Sequence, residues 1–311
     1  MGDEAMSERP DRLAEINRRV TADAPALIRE EERRYAAEIE HVAGRIEARR
    51  GTKIVLLAGP SASGKTTTAF MLAEALATRG HTAYTVSLDD FFRPQNSCVD
   101  EEGERDFESV NALDLPLLRQ TFAQLLETGS CEIPHFDFTT GGRAAETRHL
   151  RVEEGDVIIV EGIHALNPLI TDSFPAGNPL KLYVNVSSRV YDAAGDVVLS
   201  KRDLRFVRRM IRDYHYRSST VDNTFLLWDG VMHGEDAYLF PFRHRADIRI
   251  NSFHAYEPCV FRDEAVSLLE DVDGDSVYYS KARDLIRNLR RFISLGANRV
   301  PEFSLLREFL S

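Results

Sequence analysis

The sequence predicts an α/β fold: a mostly parallel five-stranded sheet flanked by helices, with a hairpin insertion and helical N- and C-terminal extensions. Three observations lead there. Short apolar runs alternate with helical segments through the centre of the chain, the pattern of right-handed strand–helix–strand crossovers. A glycine-rich loop joins the first of these runs to the first of these helices. Helix-periodic apolar stripes continue at both ends, outside the alternation.

Taken in order, residues 1–50 form a charged helical leader. Leu13, Ile16 and Val20 make one stripe, which stops at Asp23-Ala-Pro25 and restarts. Tyr35, Ile39, Val42 and Ile46 recur at spacings of four, three and four, a single helix face. That face packs either on the core or on a partner subunit, which leaves a homo-oligomer open. Glu30-Glu-Glu-Arg-Arg34 reads as a solvated face. The core spans 51–255, with strands at Ile54–Ala58, Thr82–Leu88, Asp156–Val160, Leu180–Val186 and Ala246–Ile250, and a helix over Thr66–Arg79. Between the second and third strands lies an insertion, 93–152, in which Ile133–Phe138, Gly141-Gly142 and Thr147–Val152 form a hairpin. The C-terminal extension, 256–311, carries helices around Val266–Leu269, Leu285–Phe292 and Phe303–Leu310.

Composition narrows the function. The 311 residues are 43% hydrophobic and 29% charged, the make-up of an ordinary soluble protein, and suffice for one large α/β domain with appendages. No apolar run approaches the ~20 residues a membrane helix needs, and Met1–Asp11 has no signal-peptide core, so a cytoplasmic protein is expected. Cys98, Cys131 and Cys259 stand apart, which suits three reduced thiols and neither disulfides nor zinc. A net charge of −11 argues against nucleic acid as partner, because phosphate backbones select clustered Lys and Arg. Positive charge should be focused within a site.

Gly59-Pro-Ser-Ala-Ser-Gly-Lys-Thr66 supplies that focus, fitting the G-x-x-x-x-G-K-[ST] phosphate loop. Gly59 and Gly64 free the backbone of Ser61, Ala62 and Ser63 to turn N–H groups toward phosphate oxygens. Lys65 adds a mobile charge, the Thr66 hydroxyl can ligate Mg²⁺, and Thr67 continues the loop into the positive end of the next helix. The second strand runs into Ser87-Leu-Asp-Asp-Phe-Phe-Arg93, beyond the carboxyl end where ligands of open α/β sheets sit. Asp89 can there accept the proton of an attacking hydroxyl, worth typically ~10²–10⁴ in rate. Val157–Val160 ends in Glu161, a second carboxylate placed for Mg²⁺. Arg205, Arg208, Arg209 and Arg212 share one broad helix face, with Arg202 and Arg217 nearby, in a region (200–220) that can act as a lid over transferring phosphate. A GTPase normally carries N-K-x-D, and the nearest string, Ser200-Lys-Arg-Asp203, lacks the Asn.

These motifs, A-G-P-S-A-S-G-K-T-T, S-L-D-D-F-F-R, D-F-E-S-V-N-A-L-D, I-P-H-F-D-F, V-I-I-V-E-G-I-H-A-L and R-R-M-I-R-D-Y, resemble in order those of the uridine kinase and phosphoribulokinase group of P-loop kinases. The resemblance runs over about 52–252. It implies an ATP- and Mg²⁺-dependent kinase of a small molecule, either nucleoside or sugar. It implies Asp89 as catalytic base, also bordering the acceptor and the metal, and Thr66 and Glu161 around Mg²⁺. By the same likeness Lys65 is the phosphate lysine, and Arg212 and Arg217 close over the ATP phosphates. Glu108 and Arg209 fall where the sugar is held, Phe136 where uridine kinases usually place a base-contacting Tyr, and His164 where phosphoribulokinases differ from them. A base-reading His expected five residues after Phe136 is replaced by Gly141, which points away from strict uridine recognition. A catalytically weak nucleotide-binding regulator on the same fold is the alternative outside enzymes.

Overall fold

The structure, a computed structural model, describes residues 11–49, 53–94, 108–137, 140–174 and 179–310. Cys98, Phe138 and the first ten residues lie outside them. Five strands build the central sheet: β1 (Lys53–Ala58), β2 (Ala83–Ser87), β3 (Val157–Glu161), β4 (Leu180–Asn185) and β5 (Ile248–Asn251). They lie in the order β5-β4-β1-β3-β2, and every pairing is parallel, where the sequence reading said mostly parallel. Val157, Ile158, Ile159 and Val160 are all fully buried because helices cover both faces, which is why the strands read as unbroken apolar runs. Alternate residues serve opposite cores: Val55, Leu57, Val157 and Ile159 face one, Ile54, Leu56, Ile158 and Val160 the other.

The strand order reverses at β1, so a crevice opens beyond its carboxyl end. Register aligns that end: Ser87 and Leu57 both stand opposite Glu161.

Eight helices surround the sheet among the described residues: α1 (Leu13–Glu47), α2 (Lys65–Thr78), α3 (Leu115–Thr128), α4 (Pro168–Thr171), α5 (Lys201–Arg217), α6 (Val221–Gly234), α7 (Glu257–Glu270) and α8 (Tyr279–Leu289). The stop and restart near Pro25 is a kink in α1: Asp23 leaves helical geometry (φ −161°, ψ 84°), and its carboxylate accepts from Ala26 N–H at 2.9 Å, capping the second half. Both apolar stripes of α1 pack on this chain's own core, and Tyr35 hydrogen-bonds Thr68 of α2 at 2.6 Å. The 30–34 run is not a purely solvated face. Glu32 is buried and accepts from the Tyr256 hydroxyl at 2.5 Å, while Arg34 donates to the Asn251 carbonyl at 3.2 Å.

In the insertion, Ser130–Ile133 pairs antiparallel with Arg148–Arg151, and Phe136–Asp137 with Gly142–Arg143, a two-step hairpin. The predicted C-terminal helix over Phe303–Leu310 is corrected. It is one 3₁₀ turn, Leu305–Glu308, started after Pro301 by the Ser304 hydroxyl accepting from Leu306 N–H at 3.2 Å. Among the described residues no helix is long and apolar enough to cross a membrane. Cys131 and Cys259 are buried free thiols, pushed up to about 11 and about 12 by burial, which leaves them inert.

Because α1 belongs to the core, Ile46→Ala should destabilise the protein by about 2–4 kcal/mol, the usual cost of emptying a fully buried aliphatic site. Chemical denaturation followed by circular dichroism reads that loss directly; a change near zero would mean that α1 packs loosely.

Candidate active site

The glycine loop leaves β1 and enters α2 at Lys65. Gly64 holds φ +86°, and a Cβ there would stand 2.6 Å from Leu305 Cδ1, so only glycine fits. Ala62 also lies in the left-handed region (φ 57°), which costs a residue with a side chain about 1–2 kcal/mol. Buried charge holds this strained loop. Arg205 donates to the Ser61 carbonyl at 3.0 Å, Arg208 to the Ala62 carbonyl at 3.3 Å, and Arg209 to the Ser61 hydroxyl at 2.9 Å. Glu235 accepts from Ser61 N–H at 2.8 Å. Ser63 N–H donates to the Pro60 carbonyl at 3.2 Å, and Lys65 Nζ bends back to the same oxygen at 3.1 Å.

The arginine face of α5 is thereby divided. Arg205 and Arg208, expected to face phosphate, are buried ion pairs instead: Arg205 with Glu235 at 2.7 Å and Arg208 with Glu257 at 2.6 Å. They fasten α5 to the loop and do not act as lid groups. Of the other four arginines of α5, Arg202 pairs with Asp236 at 2.8 Å, and three converge on one buried carboxylate, Asp213: Arg209 at 3.1 Å, Arg212 at 3.6 Å and Arg217 at 3.2 Å. Asp213 sits on the same helix, and Arg212 also pairs with Glu308 at 3.5 Å. Arg217 is the most exposed of the three and reaches far enough to draw down the carboxyl of Asp89.

Opposite the arginines lie the carboxylates at the strand ends. Glu161 accepts from the Ser87 hydroxyl at 3.1 Å and from the Thr66 hydroxyl at 3.5 Å. Burial pushes its carboxyl up to about 7, with the Lys65 charge pulling down and Asp89 adding to the rise. Asp89 stands two residues beyond the end of β2, and its N–H donates to Ser87 Oγ at 3.3 Å. The cleft walls raise its carboxyl, and Lys65 lowers it. The residue itself is exposed, so water moderates that rise. Neighbouring Asp90 instead ties to His135 of the insertion at 3.1 Å.

Glu108 is half-buried and raised to about 7 by burial, offset first by Arg209. Its approach needs Gly234, where a Cβ would come within 2.2 Å of Glu108 Cβ. Two residues expected to contact the substrate are buried in this structure. Phe136 is 3% exposed and packs against Phe92 at 5.6 Å, filling the insertion core and presenting no open ring to a base. His164 is 2% exposed, its ring set edge-on to Tyr238 at 6.2 Å, and has no surface for a sugar in this arrangement. Gly141 holds φ +68° at the hairpin tip, with its N–H bonded to the Asp137 carbonyl at 2.8 Å. The turn itself therefore selects glycine there. Gly234, Glu235 and Glu308 lie in none of the motifs read above; only the fold brings them to the site.

This arrangement joins a phosphate loop, a hydroxyl and two carboxylates at aligned strand ends, and arginines across the cleft. The profile of the Phosphoribulokinase / Uridine kinase family matches residues 54–257, well over half of the chain. The chain belongs to this family, and it is an ATP-dependent kinase. A uridine kinase from Lactobacillus helveticus is 30% identical over 198 residues, covering 63% of this chain and 84% of that protein. One from Staphylococcus haemolyticus is 31% identical over 204 residues, covering 64% and 87%. Among solved structures, a protein from Silicibacter sp. TM1040, provisionally named a kinase of a fructose transport system, superposes with a TM-score of 0.51. It is 20% identical over 69% of this chain and 98% of its own, which supports the fold.

Glu161 gives a stability prediction with a defined sign. Its folded pKa lies above its unfolded one, so stability is lost as pH rises from about 4.5 to about 7. Glu161→Gln should melt higher than the parent at pH 8, by on the order of 1–3 kcal/mol, and equally at pH 4.5. A lower melting point at pH 8 would show that the ionised carboxylate is stabilising.

Proposed function

We propose that this kinase transfers the γ-phosphoryl group of ATP to a primary hydroxyl of a small ribose- or polyol-containing metabolite, a nucleoside with loose base preference first. The observation that carries the reading is the set of groups around one cleft: Lys65 and the loop amides on one side, Asp89 and Glu161 on a second, Glu108 and Arg209 on a third. Electrostatic influence links them, since the Lys65 charge lowers the carboxyls of Asp89, Glu161 and Glu108 alike.

In this reading Asp89 accepts the hydroxyl proton as the oxygen attacks phosphorus, and Glu108 with Arg209 orients the vicinal hydroxyls. Gly59, Gly64 and the N–H groups of Ala62, Ser63, Lys65, Thr66 and Thr67 cradle the phosphates, and Lys65, Arg212 and Arg217 neutralise charge that spreads over the transferred group. Thr66 Oγ1 and the carboxylates of Asp89 and Glu161 are hard oxygen donors that fit Mg²⁺, the Thr66 and Glu161 oxygens standing 3.5 Å apart. Such an ion would supply charge neutralisation and orientation of the β- and γ-phosphates. Among the described residues no group of three or more acid, His or Cys side chains closes into a metal cage, which suits an ion completed by phosphate and water.

A kinase of a base-free pentose or polyol is the second reading. It is favoured by the burial of Phe136 and by the glycine at 141, where a base-reading His was expected. The comparison that decides is a coupled ADP-release assay across uridine, cytidine, purine nucleosides, free pentoses and glycerate-like polyols. Turnover of one class alone selects between the readings, and no turnover with any would overturn both.

Two substitutions test the roles. Lys65→Ala should lower both nucleotide affinity and turnover. Asp89→Asn should leave ATP binding intact while kcat falls about two orders of magnitude or more. Unchanged kcat in the Asn variant would remove Asp89 as the base.

A further inference from the structure

The C-terminal segment lies beyond the family match, which ends at 257, yet it touches the phosphate loop. Four of its side chains are anchored: Leu305, Leu306, Phe309 and Leu310 are 0–2% exposed. Leu305 packs against Gly64, the Arg208 guanidinium lies 5.2 Å over the Phe309 ring, and the Tyr216 hydroxyl donates to the Leu310 carbonyl at 2.5 Å. Amid this apolar anchoring Glu308 faces the site. Its carboxylate takes the Thr67 hydroxyl at 2.6 Å and Arg212 Nη1 at 3.5 Å, one oxygen to each.

That donor pair is of the kind that selects an anion. Thr67 lies in the first turn of α2, at the positive end of the helix, and Arg212 brings a guanidinium from α5. A phosphate oxygen of a nucleotide held by the loop would seek the same two donors. A carboxylate offers two oxygens and a negative charge, the nearest side-chain equivalent of that phosphate.

We propose that Glu308 is a built-in competitor for a nucleotide phosphate: its carboxylate occupies the anion subsite of Thr67 and Arg212, and nucleotide binding displaces it. The proposal rests on the nucleotide-binding reading above. It separates two jobs within one turn. The apolar residues keep the segment on the loop, while Glu308, at 17% side-chain exposure, holds the two donors. Loading then depends on exchanging one anion for another, so weakly charged or partial ligands are held off while a polyphosphate is admitted. If Glu308 instead braced Thr67 and Arg212 for the ligand, removing its charge would weaken binding.

The test is calorimetric titration of Mg·ADP into the full-length protein and its Glu308→Gln and Glu308→Ala variants, each first shown to melt within a few degrees of the parent. Gln keeps the shape, and Ala removes any hydrogen bond to Thr67. Both should bind Mg·ADP more tightly, by on the order of threefold to tenfold, the scale of one partly screened charge contact. Thr67→Val should cost more affinity in the Glu308→Gln background than in the parent, because the hydroxyl is then open to phosphate. Parent-like or weaker binding by both variants overturns the competitor role and leaves the kinase reading standing. Absence of Mg·ADP binding in parent and variants alike overturns both.

Discussion

The two buried ion pairs of α5, Arg205–Glu235 and Arg208–Glu257, are the constraint on which the site depends. Each arginine gives an N–H to a loop carbonyl and two to a carboxylate, and Arg208 also donates to the Ser252 carbonyl and hydroxyl. At 0–2% exposure neither charge can be left alone, because breaking a buried pair by removing one partner typically costs about 3–5 kcal/mol. The pairs therefore fix α5, the start of α7 and the end of α6 relative to the loop as one unit. That over-determination is what allows Ala62 to remain in a left-handed conformation and the loop to keep its shape.

Around this fixed loop the remaining charges are arranged in opposition. The carboxylates of Asp89, Glu161 and Glu108 are all raised by burial, and each is offset in part by a cation, Lys65 or Arg209. Across the cleft one carboxylate, Asp213, collects three arginines. A cleft whose acids are pushed toward the neutral form and whose arginines outnumber their carboxylate gains from a ligand carrying negative phosphate and a cation together. Half of the arginine face in this acidic protein serves the loop's shape, through buried pairs with Glu235 and Glu257.

The terminal extensions are part of the same construction. The two halves of α1 cover one face of the sheet, and Tyr35 bonds Thr68, whose hydroxyl also bonds the Gly64 carbonyl at 2.6 Å. From the other end of the chain Leu305 closes over Gly64. Both termini thus reach the same glycine, one from the α2 side and one from above the loop.

The five strands, the phosphate loop and the hairpin were legible in the sequence because each rests on local patterning: apolar runs buried on both faces, glycines at fixed spacing, and alternation about a turn. Asp89, Glu161 and Thr66 were legible for a related reason. A strand end is defined by sequence, and parallel register brings strand ends to one edge of the sheet. The roles of Arg205 and Arg208 were not, since a helix face rich in arginine looks the same whether it meets phosphate or buried glutamates 30 and 49 residues further along the chain. Phe136 and His164 were placed beside a ligand by pattern and buried by packing, a choice made by neighbours such as Phe92 and Tyr238. The last turn, read as a helix from its apolar spacing, became a 3₁₀ segment once Pro301 and the shape of the loop set its path. The sequence by itself determined the sheet, the loop and the acids that follow its strands, because those depend on periodicity and short spacing. Only the tertiary structure decided which charges face the cleft and which hold it together, because that depends on pairings between residues distant in the chain.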